Sequence, residues 1–503
     1  MVCFSSGQTP SDRLTKFPPS ICEDDQPMTA PDYFDIDQFR NEGHALIDRL
    51  AEFASRSMGQ GQQLAERVIE FRDPAELLDQ WKNHPATSFE KLIERVLEQS
   101  IRLKHPRYIG HQISPTEFHA SLAGLVSDFL NNGMGVYEMG MAGTTLERLV
   151  IEHTAQQLGM PEEASGVLTS GGSLGNLTAL LAARVKSQPD VNINGQQRPM
   201  AVMVSQQAHY CVQRAATIMG WGQDGVITVP TNDQFGMDVQ QLPRLLDSAK
   251  QSGRHVIAVV GSACTTATGS YDDLRRIGEF CQANDLWFHV DGAHGTAAAF
   301  SLKYKHLVDG IQIADSVVLD YHKLLLTPAL ATALIFRDAK NSFTTFQQKA
   351  DYLFEPDSPD HPWHNLALRT FECTKLMMGL KIYSILTVHG TKAWDENVTR
   401  LFDLSRQMYD LIEQQPNVQA IAKPQSNIIC YRYFDSQLPG TTLNKINNDI
   451  RDSFLRTGKF YIVKTMIDDT VWLRSTIGSA TTTVDDLQEL LDTIVQLGQQ
   501  QSN

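Results

Sequence analysis

A lysine set in an apolar passage is the first chemical oddity of this sequence. Residues 317–328 read VVLDYHKLLLTP, and Leu324 to Phe336 carry no charge. Lys323 is costly there unless its ammonium is paired, reaches water, or is not an ammonium at all. Four other polar groups also stand just after short apolar runs. In VLTSGGSLGNLTALLAAR (167–184), Ser170, Gly171, Gly172 and Ser173 join a strand end to an alanine- and leucine-rich helix. The glycines permit close backbone approach and the helix N-terminus attracts an anion, although a plain helix cap accounts for the same residues. In HVDGAHG (289–295), Asp291 either caps the next turn or stands as a fixed carboxylate beneath a cationic nitrogen. SACTTATGSYDDL (262–274) supplies the adjacent hydroxyls of Thr265 and Thr266, and SQQAHY (205–210) supplies His209, structural or functional.

The order of these groups says more than any one of them. A phosphorylated, cationic, aromatic cofactor held through a lysine needs this set: a helix N-terminus and a hydroxyl for the phosphate, an imidazole against the ring, a carboxylate for the ring nitrogen, and an amine for the aldehyde. The glycine loop lacks the Gly-Lys-Ser/Thr of a nucleotide phosphate loop and the spacing of a dinucleotide fingerprint, which disfavours a nucleotide-binding module.

Something must position these groups. MAVMVS (200–205), GVITVP (225–230), HVIAVV (255–260), LWFHVD (286–291) and DSVVLD (315–320) are apolar nearly throughout, as strands covered on both faces are. They alternate with helical stretches such as DDLRRIGEFCQAND, which predicts an α/β fold with a largely parallel sheet between helices. Ligands bind at the carboxyl ends of the strands in such sheets. Ahead of this region, residues 1–32 are rich in Pro, Ser, Asp and Gln and are expected to form a loose arm. Phe39, Gly43, Leu46, Leu50 and Phe53 then share one helix face, either of a surface helix or of a segment packed on a dimer partner. After about residue 390 a separate α/β layer is expected. It ends in TTTVDDLQELLDTIVQLG, where Leu487, Leu490, Leu491, Ile494 and Val495 form an apolar face behind a threonine cap.

At 503 residues with 42% apolar and 20% charged composition, the chain can bury a large core. A net charge of −15 argues against nucleic-acid binding. No apolar stretch reaches a membrane span, and the N-terminus lacks the apolar core of a secretory signal. Seven cysteines with no C-x-x-C pair suit a reducing, cytoplasmic setting and offer no zinc ligand set, so no metal is expected.

From HPRYIGH (105–111) to WLRSTIG (472–478) the sequence resembles the group II pyridoxal-phosphate-dependent amino-acid decarboxylases, which act on glutamate, aromatic amino acids, cysteine sulfinate or 2,4-diaminobutyrate. The resemblance rests on NNGMGVYEMGMAGTTLE (131–147), TSGGSLGNLTALLAAR, HVDGAHG, DSVVLDYHK and KADYLF (349–354). It implies the aspartate-aminotransferase-like fold type I: a flexible arm (1–32), a helical segment (33–104), a large cofactor-binding domain (105–389) and a small C-terminal domain (390–503). It also implies pyridoxal phosphate as cofactor and a homodimer with sites near the subunit interface.

By the same resemblance, Lys323 carries the cofactor's aldehyde as an imine, with His322 beside it. Asp291 pairs with the pyridine nitrogen, Ala293 lies close to the ring and His209 stacks on it. Gly172, Ser173 and Thr266 fall near the phosphate, with Asn176 as a neighbour. Tyr352 is the catalytic-loop proton donor, and Arg474 holds or adjoins the substrate α-carboxylate. Asp320 departs from the family, whose members often place there an asparagine that reaches toward the phosphate; an acid would repel that dianion unless it turns away or binds a donor. Gly292 is a milder change. His111 and Gln112 lie where the family lines its substrate pocket, and their polarity points to glutamate, aspartate, cysteine sulfinate or 2,4-diaminobutyrate. An aromatic substrate, or a transaminase or lyase reaction on the same fold, is the alternative; a scaffold without turnover is disfavoured by Lys323, Asp291 and Tyr352.

Overall fold

The five runs expected as strands occupy adjacent places in one seven-stranded sheet of the computed structural model, which describes residues 33–346 and 363–502. Its strands are β1 (Ser165–Thr169), β2 (Met200–Ser205), β3 (Val226–Val229), β4 (His255–Ser262), β5 (Trp287–Asp291), β6 (Ser316–Asp320) and β7 (Thr332–Phe336), in the order β1-β7-β6-β5-β4-β2-β3. All pairs from β6 to β3 are parallel, and every residue of β2, β5 and β6 is buried. The mostly parallel α/β sheet is as expected.

The antiparallel β7, inserted between β1 and β6, was not legible as a strand inside the uncharged Leu324–Phe336 stretch. Its direction follows from chain length. A parallel crossover needs a dozen or more residues and usually a long helix. The link from β6 to β7 holds one four-residue helix, Tyr321–Leu324, so the chain turns straight back. Lys323 sits in that return.

A second, antiparallel sheet contains β8 (Val418–Ala420), β9 (Ile428–Tyr433), β10 (Val463–Ile467) and β11 (Thr470–Thr476), in the order β10-β11-β9-β8. The terminal helix Val484–Ser502 buries Leu487, Leu490, Leu491 and Ile494, while Val495 is half-buried. Its start is a reciprocal cap: Thr483 N–H donates to the Asp486 carboxylate, and Asp486 N–H donates to the Thr483 hydroxyl.

By internal contacts the described chain falls into two units, residues 33–107 with 452–461, and 108–451 with 462–502. The first contains the helices Ile36–Met58, Pro74–Asn83 and Phe89–Glu98. In Ile36–Met58 only Ala54 and Ser57 are buried, and Phe39 and Leu50 of its apolar face remain exposed. Both sheets belong to the second unit. The division at residues 389/390 stands as a proposal, with the helix Lys392–Ile412 and the second sheet beyond it. Among the described residues no helix is long and apolar enough to cross a membrane.

β1, which leads into the glycine loop, is braced by a buried ion pair. Lys375 Nζ donates to Glu147 Oε1 at 2.6 Å and to the Leu168 carbonyl at 2.8 Å, and Leu168 N–H donates to the same Glu147 oxygen at 2.9 Å. Breaking one side leaves an uncompensated buried charge. Lys375→Met is therefore expected to lower unfolding stability by about 3–5 kcal/mol, and Glu147→Gln in the same chain to restore much of it. Denaturant unfolding of the two variants checks this; equal losses in both would contradict the brace.

Candidate active site

The carboxyl ends of β1, β2, β4, β5 and β6 open on one cavity of about 290 Å³. Of the residues singled out in the sequence, Gln112, Gly172, Ser173, Asn176 and His209 lie on its wall, as do Thr266, Asp291, Ala293, His322 and Lys323. His111 and Arg474 are not on that wall, and Tyr352 lies outside the described residues.

Lys323 answers to two carboxylates. Its Nζ is 3.0 Å from Asp320 Oδ2, with the lysine side chain 22% exposed and that of Asp320 only 3%. Burial pushes the ammonium toward neutrality, but Asp320, through charge and hydrogen bond, and then Asp291 outweigh it and hold Lys323 above the ordinary lysine value. Asp320 has a second donor, the Thr332 hydroxyl at 2.5 Å, and lies 3.6 Å from His322 Nε2. The acid that departs from the family pattern is thus paired with donors on both oxygens.

The short helix bearing Lys323 is fastened by three hydrogen bonds from two other helices. The Tyr321 hydroxyl meets Thr154 Oγ1 at 2.7 Å, Trp394 Nε1 donates to the Leu325 carbonyl at 3.0 Å, and Asn397 Nδ2 donates to the Leu324 carbonyl at 2.9 Å. These carbonyls end a single helical turn and would otherwise lack partners.

At the other end of the cavity, the helix Gly172–Ser187 begins without a side-chain cap. Gly171 has φ of 110°, a region that favours glycine. A Cβ on Gly172 would stand 3.2 Å from both Asp320 oxygens and from the Ala293 methyl. The bare helix start leaves N–H groups and the positive dipole end for an anion. Of the two threonines, Thr265 bonds internally, to Thr268 Oγ1 at 2.9 Å, while Thr266 faces the cavity. Strand–loop geometry makes that choice; residue type alone leaves it open, and the family resemblance points to the same threonine.

His209 follows β2, and its Nδ1 accepts the Cys211 N–H at 3.3 Å. Burial is the main cause holding its imidazole below the ordinary value, so it is neutral at pH 7 and can lie against a cationic ring without repulsion. Asp291, ending β5, accepts the Ala293 N–H at 3.4 Å. Asn176 is engaged below the cavity with Cys211 and His289 rather than with the glycine loop.

Arg474, on β11, is 5% exposed; its Nε donates to the Ala267 carbonyl at 3.1 Å, and its Nη2 has no hydrogen-bond partner among the described residues. His111 stands at the surface, its imidazole pushed down by partial burial and then by Arg474 and Arg451. Sequence reasoning missed Cys211, His289, Trp394 and Asn397. Only His289 had a local signal, two residues before Asp291 and so on the same strand face.

Taken together, the residues present fit a phosphorylated aromatic aldehyde: an uncapped helix start, a neutral imidazole, a strand-end carboxylate and a lysine on a fixed turn. Because Asp320 raises Lys323, Asp320→Asn lowers the pH at which this amine loses its proton. Labelling of the Lys323 peptide by trinitrobenzenesulfonate in the cofactor-free protein is expected to run several-fold faster at pH 8 in that variant. An unchanged rate–pH profile would refute the coupling.

A family model described as the pyridoxal-dependent decarboxylase conserved domain matches residues 74–434. The chain is 27% identical over 419 residues to L-2,4-diaminobutyrate decarboxylase of Acinetobacter baumannii, covering 80% of this chain and 82% of that one. It is 29% identical over 408 residues to cysteine sulfinic acid decarboxylase of Rattus norvegicus, covering 78% and 82%. The crystal structure of mouse CSAD has the same fold, with a TM-score of 0.83 at 24% identity over 91% of this chain and 99% of that one. A match over most of the chain makes this protein a member of the pyridoxal-dependent decarboxylase family, an amino-acid carboxy-lyase that uses pyridoxal phosphate on an α/β fold of type I.

Proposed function

We propose that this enzyme converts a small polar or acidic L-amino acid (glutamate, aspartate, cysteine sulfinate or 2,4-diaminobutyrate) to its amine and carbon dioxide. The observation that carries the decarboxylation is Arg474: a buried guanidinium with one nitrogen left without a partner among the described residues is a ready site for an α-carboxylate. Polar Gln112 on the cavity wall, with His111 next to it, supports a polar rather than an aromatic side chain. The relatives above act, by their names, on 2,4-diaminobutyrate and cysteine sulfinic acid.

Bound pyridoxal phosphate supplies an electron sink for the bond that breaks at Cα. The chain's residues do the rest. Gly172, Ser173 and Thr266 bind the phosphate, His209 lies against the ring, and Asp291 holds a proton at the ring nitrogen. Lys323 would hold the cofactor covalently, with His322 beside it. Arg474 grips the α-carboxylate and so fixes which bond at Cα is presented for cleavage. Tyr352, carried over from the family resemblance, gives the proton that replaces carbon dioxide.

We also read the enzyme as a homodimer. The helix Phe118–Leu130 buries Ala120, Ala123, Gly124 and Ser127 on one side. On the other it exposes Phe118, Leu122, Leu125 and Phe129 at 51%, 47%, 50% and 69%, a stripe that water does not favour.

Two measurements test these readings. The cofactor-loaded protein, offered individual amino acids, is expected to release carbon dioxide and amine from a small polar or acidic one. Turnover restricted to tyrosine, tryptophan or dihydroxyphenylalanine would overturn the substrate class, and a keto acid or alanine as product would favour a transaminase or lyase. In light scattering, the native chain is expected at twice its 56.2 kDa and Phe129→Asp at the single mass; a monomeric native protein would overturn the dimer.

A further inference from the structure

Beneath the cavity a line of buried polar groups runs away from Asp291, and no step above uses it. The period of two along β5 puts Trp287, His289 and Asp291 on one face. The Trp287 indole Nε1 and His289 Nδ1 each lie 2.8 Å from Ser316 Oγ. His289 Nε2 is 2.7 Å from Asn176 Oδ1. Asn176 Nδ2 is 3.2 Å from Cys211 Sγ, which is 3.7 Å from Asp291 Oδ2. Trp287, His289, Ser316, Asn176 and Cys211 are each 5% exposed or less.

The two ends fix the direction of every bond. An indole N–H can only donate and a carboxylate can only accept. Ser316 therefore accepts from Trp287 and gives its proton to His289 Nδ1. Burial holds His289 down to about 4, so it is neutral; it carries its proton on Nε2 and donates to Asn176. Asn176 donates to the sulfur, and the thiol donates to Asp291. Burial first, and Asp291 second, hold Cys211 well above the ordinary thiol range, so its proton stays in place. Run backwards, the line would leave the Ser316 proton without an acceptor and give the single thiol proton two acceptors.

We propose that Cys211, Asn176 and His289 are positioning residues that hold the Asp291 carboxylate in one orientation for the ring nitrogen of pyridoxal phosphate. This rests on the reading that Asp291 pairs with that nitrogen. A thiol is a weak donor, so it orients the carboxylate while leaving most of its charge for the nitrogen. Asn176 rides on the helix Gly172–Ser187, whose start faces the phosphate end, so one helix registers both ends of the cofactor.

The test is the NMR resonance of an isotope-labelled ring nitrogen in holoenzyme, with the cofactor dissociation constant and the melting of the cofactor-free protein measured alongside. Cys211→Ala is expected to move the resonance toward neutral pyridine and to weaken cofactor binding about tenfold. Cys211→Ser, which keeps a donor, should return both toward the native values. A native resonance and affinity in Cys211→Ala would overturn the relay, as would lowered melting with an unmoved resonance. Asp291→Ala is the control: if that variant leaves the resonance in place, it is the pairing of Asp291 with the nitrogen that fails.

Discussion

A half-buried ammonium is the constraint on which this structure turns. At an effective dielectric of about 20, the attraction between unit charges at the Lys323–Asp320 distance is about 5 kcal/mol, comparable with the several kcal/mol that desolvating the ammonium costs. Lys323 is therefore tolerable only beside carboxylates, and two stand at the ends of adjacent strands, Asp320 on β6 and Asp291 on β5. The Thr332 hydroxyl gives Asp320 a donor that does not depend on the charge of the lysine. The residue that departs from the family pattern thus belongs with the lysine in this arrangement.

Holding that amine in place requires a backbone that does not drift. The return from β6 to β7 is too short to form a stable helix of its own, and its single turn ends in carbonyls with no helical partners. Trp394 and Asn397, from the helix Lys392–Ile412, supply the missing donors, and Tyr321 is tied to Thr154 on the helix Met141–Gln157. Two distant helices therefore fix one lysine. The glycine loop is treated alike, its strand braced from below by Lys375 and Glu147. Both ends of the cavity are anchored by buried polar contacts rather than by local helix propensity.

The strands were legible because burial on both faces demands runs of Val, Ile, Leu, Ala and Met, and few other elements write that pattern. The site residues at the strand ends were legible for the related reason that polar groups stop such runs. β7 was not, since its apolar run is continuous with the link before it. Which threonine faces the cavity could not be read from residue type, only from the family resemblance, and where Asn176 spends its amide could not be read either: neighbouring residues on a loop differ only in the direction their side chains take, and tertiary packing sets that direction.

By itself the sequence determined the α/β class, the five parallel strands and the polar groups that stand at their ends, because burial and residue type act locally. Only the tertiary structure decided the antiparallel return that presents Lys323, the pairing of Asp320 with that lysine, the Arg474 nitrogen left without a partner among the described residues, and the polar line behind Asp291. The Arg474 contact and the polar line join residues far apart in the chain, while Asp320 and Lys323, three residues apart, meet because the turn between β6 and β7 aims both side chains together. How sheets, helices and loops pack sets these distances, which no local pattern records.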